Sequence, residues 1–419
     1  MSLLPTDASL FDEEEAFNFT PSRAAGLQQL KSFLPMAGGK YAAKRNFDFG
    51  PTNRNNVSLL SPWIRHRLVA EEEVVDAVLS RFSPSSAEKF IQEVFWRSYF
   101  KGWLEQHPSV WDSYQNELAF AIDKVSRDTQ LRSGYQAAVT GKTDIECFDY
   151  WVGELIERGY LHNHSRMWFS SIWVFTLKLP WVLGADFFLR HLIDGDAASN
   201  TLGWRWVAGL HTKGKMYLAR RDNIRKFTDG RFDPGQLCTD YVPLDEQSVH
   251  PRKLLSVSEQ MPDSNYILLI TEDDCLGGLS FSKKLSGAVG FAAPELRSQL
   301  EVPQNIKDYT TSAVSNALKS VGASQTRVAR NSDEVINLVK RDAAELGVSD
   351  VVAFEPTVGP IKSALMDVKR SLAEEGFNLH LVRRDFDNLV WPHADRGFFK
   401  VKKKLPEFLT SLSACRRSY

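Results

Sequence analysis

Two strings hold most of the candidate chemistry in this chain: HNHSRM, from His162 to Met167, and LIDGDAASNTLGWRW, from Leu192 to Trp206. They set imidazoles, amides, carboxylates, a guanidinium and two indoles close together. Such groups stack on a flat ring, hydrogen-bond its edges and balance its charge, which suits a buried aromatic redox cofactor better than an ordinary core. Arg166 and Asp194 are a candidate buried ion pair, costly unless a ligand or a network uses both charges; a structural salt bridge is the plain alternative. Upstream, Ser58-Leu59-Leu60-Ser61 offers hydroxyls and backbone N–H groups ahead of a helical stretch, which serves either a pyrophosphate or a helix cap.

These residues need elements to hold them, and the composition divides the chain in two. Ten of the eleven tryptophans precede Asp240, and Trp391 alone follows. Apolar residues at three and four spacing predict helices over 22–34, 71–81, 86–105 and 144–158, with Ser22 and Ser86 as N-caps. From 242 to 263 the chain is polar and broken by Pro243, Pro251 and Pro262, as a linker would be. Beyond it, apolar runs at 266–271, 288–292, 326–329, 350–354 and 378–382 alternate with helical stretches at 308–320, 332–346 and 360–375, the spacing of buried parallel strands with crossover helices. No G-x-G-x-x-G follows the first strand. The expectation is a multidomain α and α/β chain: an all-helical domain over 17–243, a linker over 244–262 and a Rossmann-like parallel α/β domain over 263–419.

Charge and cysteine content narrow the partners. Lys+Arg 51 against Asp+Glu 52 leaves no global field to pull the protein onto nucleic acid or a membrane. A polyanion contact must be local. In the stretch 205–231, Lys213, Lys215, Arg220, Arg221, Arg225, Lys226 and Arg231 outnumber Asp222 and Asp229, though a solvated face would read the same way. Cys147, Cys238, Cys275 and Cys415 lie far apart, with neither zinc nor disulfide spacing, so no metal is expected. Without a secretory pattern near Met1 or a run apolar enough to span a bilayer, the expected setting is soluble and cytoplasmic.

The motifs also resemble, in order, those of the DNA photolyase and cryptochrome family: approximately W-x-H-N-x-x-R-M, with Tyr160 in place of the first tryptophan, then I-D-G-D-x-A-x-N-x-x-x-W-x-W. The likeness extends upstream to Tyr41, to Ser58-Leu59-Leu60-Ser61-Pro62 and to Glu93-Val94-Phe95-Trp96-Arg97, covering about the first 240 residues. It implies a flavoprotein with FAD held by Tyr41, Ser58, Leu59, Leu60, Ser61, Arg97, Asn163, Arg166, Asp194, Gly195 and Asp196, and with Asn200 facing flavin N5. An electron relay would run through Trp204 and Trp181; the third family position is Ala138, with Tyr135 one turn earlier as its substitute. Trp96, Trp206 and Met167 would meet a thymine dimer flipped from UV-damaged DNA, Glu93 would offer its carboxyl to the pyrimidine edge or to the flavin ribose, and Trp96, His164, Lys213 and Lys215 would touch the DNA.

The implied activity is blue-light-driven repair of cyclobutane pyrimidine dimers, a photo-lyase reaction. A cryptochrome-like photoreceptor acting on a signalling partner is the alternative, and a flavoprotein with no light role is a third reading. Asp350 to Pro356 and Asn378 to Arg384 resemble later strands of the family's α/β domain, which often holds an antenna chromophore. In the family that domain usually comes first; here it comes second. Two further departures bear on DNA: Ser98 stands where an acidic residue usually follows W-R, and Asp222-Asn223-Ile224 replaces an F-N-P turn.

Overall fold

A computed structural model describes residues 18–416 apart from 213, 236, 240, 243, 247, 278–283 and 323–326. Lys213 therefore lies outside the described residues. The helical half comprises α1 (Arg23–Phe33), α2 (Gly39–Lys44), α3 (Ser61–Arg65), α4 (Glu71–Leu79), α5 (Glu88–Gln106), α6 (Ser109–Arg127), α7 (Thr129–Val139), α8 (Glu146–Arg158), α9 (Asn163–Ser171), α10 (Trp181–His191), α11 (Ala197–Ala208) and α12 (Arg221–Phe227). Ser22 caps α1 by accepting from the Ala25 N–H. Ser86 does not cap α5: the N-cap is Ala87, and the Ser86 N–H is taken by Ser83 Oγ in the preceding turn. Its hydroxyl is therefore one residue too early for the helix.

The sequence WVLGADFFLR is apolar nearly all round, and Trp181 to Arg190 of α10 are buried throughout, as expected of a helix at the centre of its domain. Gly184 makes that position tenable, because a Cβ there would lie 2.3 Å from the Trp204 ring of α11. Helix α9 runs into a π turn, Ile172–Thr176, which buries Trp173.

In the other half five parallel strands, β1 (Tyr266–Thr271), β2 (Leu285–Phe291), β3 (Val328–Ala329), β4 (Asp350–Phe354) and β5 (Asn378–Val382), pair in the order β3-β2-β1-β4-β5. Every residue of β1 is buried, as a two-sided central strand requires. Helices α13 (Gln304–Ser320), α14 (Ser332–Leu346) and α15 (Pro360–Glu374) make the crossovers, and α16 (Asp385–Val390) and α17 (Phe399–Arg416) finish the chain. The α/β class is thus realised as a doubly wound sheet.

Among its described residues the proline-punctuated segment has no helix or strand, yet it is anchored. Glu259 accepts from the Leu381 N–H at 3.0 Å and Ser258 Oγ from the Arg383 N–H at 3.1 Å, so side chains cover N–H groups that edge strand β5 would otherwise expose. One apolar cluster spans both halves, including Phe95 of α5 with Phe386, Trp391 and Phe408. Trp391 seats on Gly102 of α5, where a Cβ would come within 2.7 Å of its indole. Among the described residues no helix is long and apolar enough to cross a membrane, and no cluster of three or more His, Cys, Asp or Glu could hold a metal ion.

Candidate functional site

A cavity of about 520 Å³ opens in the helical half, within the size range of cofactor pockets. Six stretches line it: Tyr41, Arg45 and Asn46 in and after α2, Val57 to Ser61 leading into α3, Glu93 and Trp96 of α5, residues from Tyr160 to Met167 other than His162 and Ser165, Asp194, and Trp206 of α11. The structure thus gathers Tyr41, Ser58, Leu59, Leu60, Ser61, Glu93, Trp96, Asn163, His164, Arg166, Met167, Asp194 and Trp206 around one space.

Leu59 adopts a positive φ of 56° and is buried; a non-glycine residue pays roughly 1–2 kcal/mol for that conformation. Leu60 follows in the right-handed region. This alternation turns successive N–H groups toward one side, an arrangement suited to an anion. The Leu60 N–H has a long contact, 3.4 Å, to Ser58 Oγ, so it remains available to a stronger acceptor.

Arg166 donates to Asp194 Oδ2 at 2.9 Å, while Asp194 Oδ1 is buried without a partner among the described residues. Arg166 and Arg54 also lie over the Tyr160 ring, at 5.3 and 5.4 Å. That tyrosine occupies the position the sequence left without tryptophan, and burial pushes its hydroxyl up to about 12.

Arg97, Gly195, Asp196 and Asn200 do not line the cavity. Asp196 caps α11 by accepting from the Ser199 N–H at 2.8 Å. Burial opposes its ionisation, but Arg97, Lys101 and Arg65 outweigh that and hold its carboxyl far below the usual range. Asn200 donates to the Ala185 carbonyl at 2.7 Å, which ties its amide to α10 instead of directing it into open space. Arg97 Nη2 pairs with Asp196 Oδ2 at 3.5 Å, and its Nε is buried without a hydrogen-bond partner among the described residues.

Sequence reasoning missed Arg45, whose guanidinium pairs with the Glu93 carboxylate. Its place four residues after Tyr41, on the same helical face, was the available signal. His164 borders the cavity from within the fold. Its ring is buried, Nδ1 donates to the Asn46 carbonyl at 2.9 Å, Nε2 lies 3.1 Å from the Tyr217 hydroxyl, and the ring stacks on Trp168 at 4.1 Å. Lys215 is exposed.

Ring contacts join the relay candidates unevenly. Trp204 meets Trp173 at 6.1 Å and Phe188 at 5.1 Å, both edge-on, whereas the ring contact of Trp181 is to Tyr114 at 5.7 Å. Tyr135 meets Trp173 at 6.2 Å. Among the described residues, Trp173 is therefore the ring between Trp204 and Tyr135.

A family model described as the FAD binding domain of DNA photolyase matches residues 90–266. The matched stretch is a photolyase-type FAD-binding domain. Tyr41 and Ser58 to Ser61 fall upstream of the matched span, yet they line the same cavity. The photolyase-type domain is an FAD-binding domain, and its residues fit that group: the backbone turn at Leu59 and Leu60 suits a pyrophosphate, and Asp194 Oδ1, on the cavity wall, is buried without a hydrogen-bond partner among the described residues.

The chain is 30% identical to the deoxyribodipyrimidine photo-lyase of Escherichia coli over 208 residues, 48% of this chain and 42% of the relative. It is 27% identical to that of a Synechococcus over 266 residues, 61% and 52% respectively. It spans about half the length of the curated relatives it matches. Solved structures similar to it include a class III photolyase from Agrobacterium tumefaciens (25% identity, 50% of this chain and 43% of that one, TM-score 0.42) and a Synechocystis cryptochrome (22%, 53% and 46%, TM-score 0.42).

Proposed function

We propose that this protein repairs cyclobutane pyrimidine dimers in DNA under blue light, with FAD in the cavity of the helical half. The observation that carries this reading is that Trp96 of α5 and Trp206 of α11 line the same cavity as Ser58 to Ser61, Arg166 and Asp194. One space thus has polar groups for a dinucleotide and aromatic walls for a flipped lesion, whose weakened stacking lowers the cost of extrusion.

FAD held in the cavity would supply the light-driven one-electron exchange that opens the dimer. The protein's part is placement. Ser58 to Ser61 would hold the pyrophosphate, while Tyr41, Asn163, Arg166 and Asp194 would fix the flavin end. Arg97, Gly195, Asp196 and Asn200 would act from behind the cavity wall, Asn200 on the flavin's N5 side. Trp96, Trp206 and Met167 would enclose the lesion, and Glu93, aligned by Arg45, would accept a hydrogen bond from the pyrimidine edge. Trp204 would feed an electron to oxidised flavin, with Trp181 and Tyr135 as further relay candidates. Lys215 is the exposed cation offered to a phosphate.

A second reading, a cryptochrome-like photoreceptor, is favoured by one contact: Phe398, between α16 and α17, stacks on Trp96 at 3.9 Å, joining the α/β half to the ring that would meet DNA. The two readings separate in one experiment. Purified, reduced protein under blue light should remove dimers from DNA, and Trp96→Ala should abolish or greatly weaken that repair. Photoreducible flavin with neither repair nor preference for damaged over intact duplex would leave the photoreceptor reading in its place.

A further inference from the structure

In a doubly wound sheet the ligand crevice lies beyond the carboxyl ends of the strands where strand order reverses, here between β1 and β4. In this protein arginines of the helical half fill that place. Arg65 reaches Asp273 at 2.6 Å and Arg67 reaches Asp274 at 2.9 Å, and the crevice beside them keeps a volume of about 10 Å³, at most one water. A planar pigment has no room there among the described residues.

What the crevice does instead is visible at Glu272, the first residue after β1 and 1% exposed. Its Oε1 accepts from Arg65 Nη2 at 3.4 Å and from Arg297 Nη2 at 3.3 Å, and its Oε2 accepts from the Ala293 N–H at 2.9 Å. The two arginines continue to the loop that presents Asp194 and Asp196. Arg65 Nε donates to the Gly195 carbonyl at 2.6 Å, and Arg297 Nη1 to the Leu192 carbonyl at 3.2 Å. Gly195 is wedged in this grip, since a Cβ would lie 2.8 Å from the Leu189 carbonyl and 2.9 Å from that of Leu192.

We infer that Glu272 is a positioning residue for the flavin loop: one carboxylate of the α/β half aligns Arg65 and Arg297, which fix the carbonyls on either side of Asp194 and so set the aim of both loop carboxylates. The α/β half is thereby part of the cofactor site. The inference rests on FAD occupying the cavity, and its test separates the two claims.

Amide hydrogen exchange across 192–196 is measured on the full-length apo-protein, followed by FAD titration and the redox midpoint of the bound flavin. Glu272→Gln removes the charge shared by the arginines; Asp273→Asn is a milder change that releases Arg65 alone. Asp342→Asn, in the same half on α14, is the control. Glu272→Gln should speed exchange at 192–196 at least tenfold, weaken FAD binding about tenfold and shift the midpoint, with Asp273→Asn moving all three in the same direction by less and the control moving none. Wild-type exchange, affinity and midpoint in Asp273→Asn, together with either the same result or failure to fold in Glu272→Gln, would overturn the inference. A wild-type protein that takes up no FAD would remove the flavin reading, while the exchange comparison would still decide whether Glu272 clamps the loop.

Discussion

Phe398 lies flat against Trp96, with ring centroids 3.9 Å apart and planes within 13°. Phe398 is buried and does not line the cavity, whereas Trp96 does. One face of Trp96 is therefore committed to the α/β half while the ring still borders the site. The end of one half braces a wall of the other.

That brace is testable by truncation. Phe398→Ala should cost about 3–5 kcal/mol of stability, the usual effect of deleting a buried phenyl ring, and Phe398→Leu about half as much. Both variants free the Trp96 rotamer, so each should also weaken binding of a dimer-containing oligonucleotide, by about tenfold in the alanine variant. Denaturant unfolding and fluorescence titration measure the two effects. Unchanged lesion affinity in a destabilised Phe398→Ala protein would show the stack to be core packing alone.

The aromatic contacts predict an order among indoles. Trp173→Phe should slow blue-light reduction of bound flavin by tenfold or more, because Trp173 is the ring between Trp204 and Tyr135. Trp181→Phe should have the smaller effect, its ring contact being with Tyr114. Transient absorption of the two variants decides the matter. A reversed ranking would return the second relay position to Trp181.

How much of this was legible in the sequence depended on the range of the interactions concerned. The continuous apolar run of β1, the capping hydroxyl of Ser22 and the motif residues from His162 to Trp206 are local signals, and the fold uses them close to where they were read. Trp391 carried no local sign of its role, because its burial depends on Gly102 almost three hundred residues earlier. Trp173 was likewise hidden, since its place between Trp204 and Tyr135 follows from a π turn and from α10 packing against α11 at Gly184. Glu272 and Arg65 are ordinary charged residues in sequence, and they meet only when the two halves dock.

Acid should destabilise the fold through buried histidines. His162 is 1% exposed and accepts from the His164 N–H, and burial lowers its pKa from 6.5 to about 4. Between those values the unfolded chain binds a proton that the folded protein refuses, so this contribution is complete above about pH 6.5 and fades as pH falls toward 4. The loss amounts to roughly 3 kcal/mol at most. His66, held well below its ordinary value by burial and by Arg65 and Arg297, acts in the same direction. Thermal unfolding from pH 7.5 to 4.5 should show the decline, and His162→Asn, which keeps the acceptor for His164, should flatten it by about one proton. An unaltered slope in that variant would clear His162 of the role.

Asp194 offers the sharpest test of the flavin end. Its side chain is 3% exposed and its Arg166 partner 23%, so Asp194→Ala leaves a largely desolvated guanidinium without its counter-ion. Breaking such a pair costs about 3–5 kcal/mol when both partners are buried, and the partial exposure of Arg166 brings the expected figure down to about 2 kcal/mol. Asp194→Asn keeps an oxygen for the 2.9 Å contact and removes the charge alone. If the pair serves only the fold, both variants should lose stability and retain FAD in proportion to the folded fraction. If Asp194 also meets the cofactor through its unpartnered Oδ1, Asp194→Asn should fold nearly as well as wild type yet bind FAD at least tenfold more weakly, because an amide aimed at the same donor is a poorer acceptor than a carboxylate. Melting curves of the apo-protein with FAD titration of the same samples separate these outcomes, and we expect the second.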